Sequence, residues 1–211
     1  MPDTITPSVL PAPRDPDGPY TVSVVCTGNI CRSAMAEVVL IDRLAAAGTP
    51  TSGRGGVVVT SAGVSDEEHG NPIDPRARRL LAERGYGSGS DAAARAVAAA
   101  IVGHAAHRIG DAELAGADLV LAMTRAHRSA LVRRAERLGA RADRIRMFRE
   151  FDPAAREALR RVAAGDRLRP DLDVPDPWYG TVEDFVNTLQ VVERVCDALA
   201  PALARLTAPR G

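Results

Sequence analysis

Four short β-branched runs, separated by longer segments of helical character, constrain the fold of this 211-residue chain most strongly. The runs are Thr21 to Val25, Val57 to Ser61, Leu119 to Met123 and a weaker one at Arg144 to Phe148. Helices are predicted over Ser33 to Ala47, Ile73 to Arg84, Arg125 to Leu138, Pro153 to Ala164 and Val182 to Leu206. Strands that alternate with helices indicate an α/β fold, in which helices cover both faces of a parallel sheet.

The length and patterning of the chain predict one globular domain that begins near residue 20. Residues 1–19 carry six prolines and no apolar core, so we expect a disordered N-terminal tail there rather than a signal peptide or a membrane anchor. The domain, residues 20–211, carries two segments that resemble insertions, near 49–56 and near 87–102. The second is rich in alanine and can form a short surface helix of low packing value.

Charge and cysteine content narrow the possible functions. The 27 basic and 27 acidic residues cancel, so no general field attracts nucleic acid or an anionic membrane, and neither is predicted as a partner. Three cysteines make an odd number in a chain too long to need disulfides, which favours free thiols in a reducing compartment, most simply the cytoplasm. The oligomeric state stays open.

A reactive loop is predicted where the first strand ends. Cys26 ends the strand, five loop residues follow, and Arg32 and Ser33 begin the first helix. Backbone N–H groups of such a loop, together with the positive end of the helix, can bind a phosphate dianion. The guanidinium of Arg32 can hold two phosphate oxygens, and the same field favours a thiolate on Cys26. Ser33 can donate a hydrogen bond to that sulfur and make it a better leaving group.

A thiolate nucleophile needs an acid to protonate the departing oxygen, and Asp176 is the candidate. It lies between Pro175 and Pro177, which stiffen the chain around the carboxylate. Trp178 and Tyr179 follow directly and offer aromatic faces against which a phenyl ring can stack. The sequence thus predicts metal-free hydrolysis of a phosphate ester by Cys26, Arg32 and Asp176, with no cofactor.

The Cys-x5-Arg-Ser loop and the late Asp-Pro-Trp-Tyr together resemble the low-molecular-weight protein tyrosine phosphatase family. Weaker matches are Ser61-Ala62-Gly63, Pro72-Ile73-Asp74-Pro75-Arg76, His104 and Ala117 to Met123. The resemblance implies a three-layer sandwich with a four-stranded parallel sheet of order 2-1-3-4, and a phosphotyrosine protein or small aryl phosphate as substrate. It implies catalytic roles for Cys26, Arg32 and Asp176, and supporting roles for Asn29, Ser61 and His104. Phosphate or substrate binding falls to Thr27, Gly28, Asn29, Ile30, Cys31, Ser33, Trp178 and Tyr179.

The sequence departs from the family pattern at the wall of the expected cleft. The family usually has an aromatic residue shortly after the segment that corresponds to Ser61-Ala62-Gly63, whereas this chain has Glu67 and Glu68. An acidic wall would repel an acidic phosphopeptide. Phosphatase chemistry is therefore a firmer expectation than a preference for phosphotyrosine.

Several alternatives stay open at this point. Cys31 is either a resolving thiol for Cys26 or a small buried side chain, whereas Cys196 lies on an apolar helix face and is interpreted as core. His104, His107 and His127 lack metal-ligand companions and are interpreted as structural hydrogen-bonding residues. Two rival functions are an arsenate reductase of the related fold and a non-catalytic phosphate- or phosphoprotein-binding module.

Overall fold

The computed structural model describes residues 10–166 and 171–208. Residues 1–9 of the predicted tail, and residues 167–170 and 209–211 of the predicted domain, lie outside the described residues. The strands are β1 (Tyr20–Cys26), β2 (Val57–Gly63), β3 (Leu119–Ala122) and β4 (Ile145–Met147). The α-helices are α1 (Arg32–Ala46), α2 (Pro75–Glu83), α3 (Ala92–Gly103), α4 (Asp111–Gly116), α5 (Arg125–Arg137), α6 (Arg156–Ala163) and α7 (Val182–Thr207).

The four strands form one parallel sheet of order β2-β1-β3-β4, which confirms the predicted order. Because β1 lies between β2 and β3, the order in which the strands follow one another reverses at the carboxyl end of β1. Cys26, the last residue of β1, is aligned with Gly63, the last residue of β2. Ligands of open α/β sheets bind at such a reversal point.

Helices cover both faces of the sheet, and alternate side chains of β1 supply both cores. On one face, Val22 and Val24 belong to a core shared with α1, α2, α3 and α7. On the other face, Val25 belongs to a smaller core shared with α4 and α5. This arrangement is the predicted three-layer sandwich, with β1 buried in its centre.

The two predicted insertions differ in structure. Residues 49–56 form bends and turns, and the N–H of Val57 returns to the carbonyl of Pro50. The second insertion contains α3, which Asp91 caps through the N–H of Ala94. Val97 is the buried residue of α3, and the helix packs against α1. The short helix α4 was not predicted, because its six residues offer less than two full turns of hydrophobic pattern.

Residues 10–19 of the predicted tail make specific contacts with the domain. Leu10 is buried in the larger core, and the hydroxyl of Tyr20 donates to the carbonyl of Pro11. The backbone N–H of Arg14 donates to Asp118 Oδ1 at 2.7 Å. The six prolines gave no indication of these contacts, because they depend on how the segment packs against the domain: Asp118, for example, lies 104 residues after Arg14.

Candidate active site

The turn after β1 is organised around Asn29. Residues Cys26 to Ser33, called the phosphate loop below, reverse direction at Asn29, whose φ of 63° lies in the left-handed region that asparagine tolerates. The backbone N–H of Asn29 donates to Cys26 Sγ at 3.3 Å, and its amide donates to Ser33 Oγ at 3.0 Å. The backbone N–H of Asn29 therefore points at the sulfur, while its side chain is hydrogen-bonded to the first turn of α1.

A further layer of hydrogen bonds supports Asn29 from outside the loop. Its side-chain amide also donates to Ser61 Oγ at 2.8 Å, its backbone carbonyl lies 2.7 Å from His104 Nε2, and its side-chain oxygen accepts from the N–H of His107. The hydroxyl of Ser61 in turn donates to Glu37. Ser61 and His104 thus lie in the positions expected of supporting residues, whereas Glu37 and the backbone of His107 were not predicted.

Cys26 lies on the floor of a cavity of about 160 Å³ with 3% of its surface exposed. Its sulfur is 3.0 Å from Ser33 Oγ, so the hydroxyl can donate to an ionised sulfur as predicted. The cavity is lined by Cys26, Thr27, Gly28, Ile30, Cys31, Arg32, Glu67, Glu68, Asp176, Trp178 and Tyr179. Residues far apart in sequence therefore meet around one sulfur atom.

Arg32 and Asp176 form an ion pair across this cavity. The guanidinium of Arg32 is buried and also donates to Thr27 Oγ1 at 3.3 Å and to the carbonyl of Val174 at 3.5 Å. The carboxylate of Asp176 is half exposed, since 49% of its side-chain surface is accessible. The Asp176 carboxylate thus occupies a hydrogen-bonding position on the Arg32 guanidinium that a bound phosphate oxygen would also use.

His127 contacts the outer side of the phosphate loop, which the sequence did not indicate. Its Nε2 lies 2.9 Å from Thr27 Oγ1, and its Nδ1 is buried with no hydrogen-bond partner among the described residues. Burial, with a smaller contribution from the charge of Arg32, lowers the pKa of His127 to about 4. The imidazole is therefore neutral at physiological pH and adds no positive charge to the loop.

The acid loop, Val174 to Tyr179, forms one wall of the cavity, and Glu67 and Glu68 form another. Trp178 is partly buried against the core, whereas Tyr179 is 98% exposed and meets it edge to face at 6.5 Å between ring centroids. Glu68 accepts a hydrogen bond from Asn71 Nδ2 at 2.7 Å. The predicted aromatic residues therefore face an acidic wall, as the departure from the family pattern implied.

Cys31 is a free, buried thiol that also lines the cavity. Burial raises its pKa strongly, and the charges of Asp74 and of the neighbouring Cys26 add to the effect. Cys196 is fully buried in α7 and is likewise a free thiol, in agreement with its interpretation as core. Cys31 is therefore held as a neutral thiol beside Cys26 when the loop has this conformation.

Among residues 10–166 and 171–208, no three His, Cys, Asp or Glu side chains are grouped so that they could hold a metal ion. No helix among them is long and apolar enough to cross a membrane.

The sequence and the fold of this chain are similar to those of known proteins. The family model for low molecular weight phosphotyrosine protein phosphatase matches residues 21–208. The low molecular weight protein-tyrosine-phosphatase of Streptomyces coelicolor is 37% identical over 87% of this chain and 93% of its own length. Phosphatase A of Mycobacterium tuberculosis is 35% identical over 86% of this chain and 90% of its own length.

Solved structures of phosphatases are similar to this chain in fold. The low molecular weight protein tyrosine phosphatase from T. tengcongensis superimposes with a TM-score of 0.62 at 29% identity, over 85% of this chain and 97% of that one. The arginine phosphatase YwlE superimposes with a TM-score of 0.60 at 25% identity, over 90% of this chain and 98% of that one. The chain accordingly belongs to the low molecular weight phosphotyrosine protein phosphatase family and is an enzyme of that type.

Proposed function

We propose that this enzyme hydrolyses phosphotyrosine and other aryl phosphate monoesters through a phosphocysteine intermediate on Cys26. The single observation that supports this most strongly is the convergence of Cys26, Arg32 and Asp176 on one cavity. These three side chains supply a nucleophile, a phosphate-binding cation and a proton donor, the set that such a displacement requires.

In the first step the ionised sulfur of Cys26 attacks phosphorus, and the bond from phosphorus to the phenolic oxygen breaks. The loop N–H groups and Arg32 stabilise the negative charge on the equatorial oxygens. As the incoming phosphate takes its place on the guanidinium, Asp176 leaves its partner Arg32, takes up a proton from solvent and turns to the leaving oxygen. The Asp176 carboxylic acid then transfers this proton to the departing phenolate, so the phenol leaves neutral.

In the second step the Asp176 carboxylate accepts a proton from a water molecule, which attacks the phosphocysteine. The phosphorus–sulfur bond breaks, inorganic phosphate forms, and the thiolate and the protonated acid return. Ser33 Oγ, at 3.0 Å from the sulfur, stabilises the departing thiolate by hydrogen bonding. No external oxidant, reductant or metal is needed for the cycle to balance.

The decisive experiment measures hydrolysis of p-nitrophenyl phosphate, with and without a chelator, by wild type, Cys26→Ser and Cys196→Ala. Cys196 is the matched control because it is a buried thiol in α7, far in sequence from the phosphate loop. We expect wild type and Cys196→Ala to turn over equally with or without chelator, and Cys26→Ser to lose activity by about a thousandfold or more. Full activity in Cys26→Ser would contradict the proposal.

The same assay separates the rival functions. Thiol-dependent reduction of arsenate without phosphatase turnover would favour an arsenate reductase, although Cys196 is buried in α7 and poorly placed to relay a disulfide. Binding of vanadate without any turnover would favour a phosphate-binding module.

A second candidate substrate is phosphoarginine, the substrate class suggested by the name of the similar arginine phosphatase. Glu67 and Glu68 favour it, because carboxylates at the cavity wall attract a guanidinium group. Trp178 and Tyr179 favour the phenyl ring of phosphotyrosine instead. Phosphate release from free phosphoarginine and free phosphotyrosine at equal concentrations decides between them, and we expect the phosphotyrosine rate to be higher.

A further inference from the structure

Arg76 joins the phosphate loop to the acid loop, although neither proposed catalytic step uses it. We propose that Arg76 is a positioning residue: it holds the loop that carries Asp176 at the correct distance from the phosphate site. The inference rests on the proposed role of Asp176 as general acid. It assigns a function to the segment Pro72-Ile73-Asp74-Pro75-Arg76, whose part in the enzyme the sequence resemblance left unspecified.

Asp74 provides the anchor on the side of the phosphate loop. Its backbone N–H donates to the carbonyl of Ile30 at 2.9 Å, so Asp74 is attached directly to that loop. Its side chain caps α2 by accepting the N–H of Arg76 at 2.8 Å. Burial alone would raise the pKa of Asp74, but the hydrogen bonds from Arg76 outweigh it and hold the pKa below its ordinary value. The carboxylate is therefore a charged and fixed partner.

The side chain of Arg76 extends from this anchor to the acid loop. Its guanidinium makes a two-point contact with Asp74, at 3.1 Å from Nε to Oδ1 and 2.9 Å from Nη2 to Oδ2. The remaining nitrogen, Nη1, donates to the carbonyl of Trp178 at 3.2 Å. The guanidinium carbon also lies 4.5 Å from the centre of the Phe185 ring in α7 and 5.7 Å from that of Trp178. Only a planar, forked cation can make the two-point contact and the third bond together.

The contact at Trp178 bears directly on the acid. The N–H of Trp178 donates to Asp176 Oδ1 at 3.2 Å, so the residue that Arg76 holds also orients the carboxylate. On the other side of Asp176, the N–H of Val174 donates to Met123 and the carbonyl of Pro175 accepts from Thr188. The acid is thus carried between two restrained flanks, and Arg76 restrains the one that joins it to the phosphate loop.

Removing Arg76 should therefore impair proton donation more than phosphate binding. A displacement of a catalytic group by about 1 Å can cost a hundredfold in rate. The loss should be greatest where the leaving group needs the proton, as with phenyl phosphate, and small with an activated leaving group such as dinitrophenol. Inhibition by inorganic phosphate should be no weaker than in wild type, because the contacts of phosphate with the loop remain.

The kinetic test compares wild type with Arg76→Ala, Arg76→Lys and Arg79→Ala, the last being an exposed arginine on the same helix. We expect Arg76→Ala to lose about tenfold in kcat/KM with phenyl phosphate and less than about twofold with 2,4-dinitrophenyl phosphate. Arg76→Lys keeps the cation but not the fork and should show the same selective loss, whereas Arg79→Ala should match wild type. Equal losses on both substrates, or a parallel rise in the phosphate inhibition constant, would overturn the proposal.

A second measurement does not depend on activity. Trp178 is the single tryptophan of the chain, so its fluorescence reports on the acid loop alone. We expect a red-shifted emission and stronger acrylamide quenching in Arg76→Ala and Arg76→Lys, and no change in Arg79→Ala. Unchanged fluorescence in both Arg76 variants would refute the restraint. If wild type hydrolysed no aryl phosphate, the proposed function would fail, and this comparison would still decide whether Arg76 restrains the loop.

Discussion

The phosphate loop and the acid loop contribute to the same cavity but are built in opposite ways. Asn29, Arg32 and Ser33 of the phosphate loop are almost entirely buried, and their hydrogen bonds reach Ser61, His104 and the backbone of His107. In the acid loop, Pro175, Asp176 and Tyr179 are exposed. A binding site for an oxyanion gains from being preformed, whereas the proposed acid must exchange partners during each turnover, so its side chain has to stay free to move between the two flanks that are held.

The largest expected effect comes from the acid loop, when the carboxylate of Asp176 is replaced by an amide. Asp176→Asn should lower kcat for phenyl phosphate by about a hundredfold or more, because the proposed general acid is lost. It should also strengthen inhibition by inorganic phosphate, because the amide no longer competes as an anion for Arg32. Steady-state kinetics and phosphate inhibition constants check both parts, with Glu183→Gln, an exposed carboxylate in α7, as control. Weaker inhibition in Asp176→Asn would show that the ion pair does not compete with phosphate.

The buried surroundings of the phosphate loop predict a pH dependence of stability. The pKa of His127 is lowered by burial from 6.5 to about 4, so the unfolded chain binds a proton more readily than the folded one between these values. The stability that this group contributes is present above pH 6.5 and is lost as pH falls toward 4, by an amount on the order of 3 kcal/mol. Urea unfolding of wild type and His127→Gln at pH 7, 5.5 and 4.5 measures it. Identical pH profiles in the two proteins would exclude His127 as the cause.

A smaller effect is expected from substitution of Asn29, around which the phosphate loop is organised. Asn29→Ala should cost about 2 kcal/mol, because it removes a buried amide and places alanine at a positive φ. For a chain of this size that corresponds to a fall in Tm of roughly 4 to 8 °C. Asn29→Gly relieves the backbone strain without restoring the amide, so it separates the two causes. Asn71→Ala, at an exposed asparagine, is the matched control and should leave Tm nearly unchanged.

The smallest effect concerns the acidic wall. Glu67→Gln should raise kcat/KM by about twofold for a phosphotyrosine peptide with acidic neighbours, because an exposed like-charge repulsion is weak. It should leave p-nitrophenyl phosphate hydrolysis unchanged. A phosphopeptide series with acidic, neutral or basic neighbours checks this, beside Glu136→Gln, an exposed glutamate in α5. Equal selectivity in wild type and Glu67→Gln would remove Glu67 from the determinants of substrate choice.

The parts of the site that carry a local sequence pattern could be predicted from the sequence. Cys26, Arg32 and Ser33 belong to a single strand-loop-helix unit. Asp176, in a separate segment, is flanked by prolines and followed by two aromatic residues. The strand order followed from the resemblance to the family and is confirmed.

Other parts depend on contacts between distant segments and could not be read locally. His127 reaches Thr27 only because α5 begins directly after β3, and Arg76 reaches Trp178 across more than a hundred residues. Glu37 looks like an ordinary polar residue of α1 until Ser61 is placed beside it by the pairing of β1 with β2. Burial and partner choice at such positions are products of tertiary packing, which no local pattern encodes.

The contacts of residues 10–19 have a practical consequence for anyone who shortens the chain. The match to the family begins at residue 21, so the family alignment alone would suggest a truncation just before or at Tyr20. Such a truncation would uncover the hydrophobic site that Leu10 fills and remove the N–H that Arg14 offers to Asp118. We therefore expect a fragment that keeps the stability of the domain to include Leu10, which lies outside the boundary that similarity to the family would suggest.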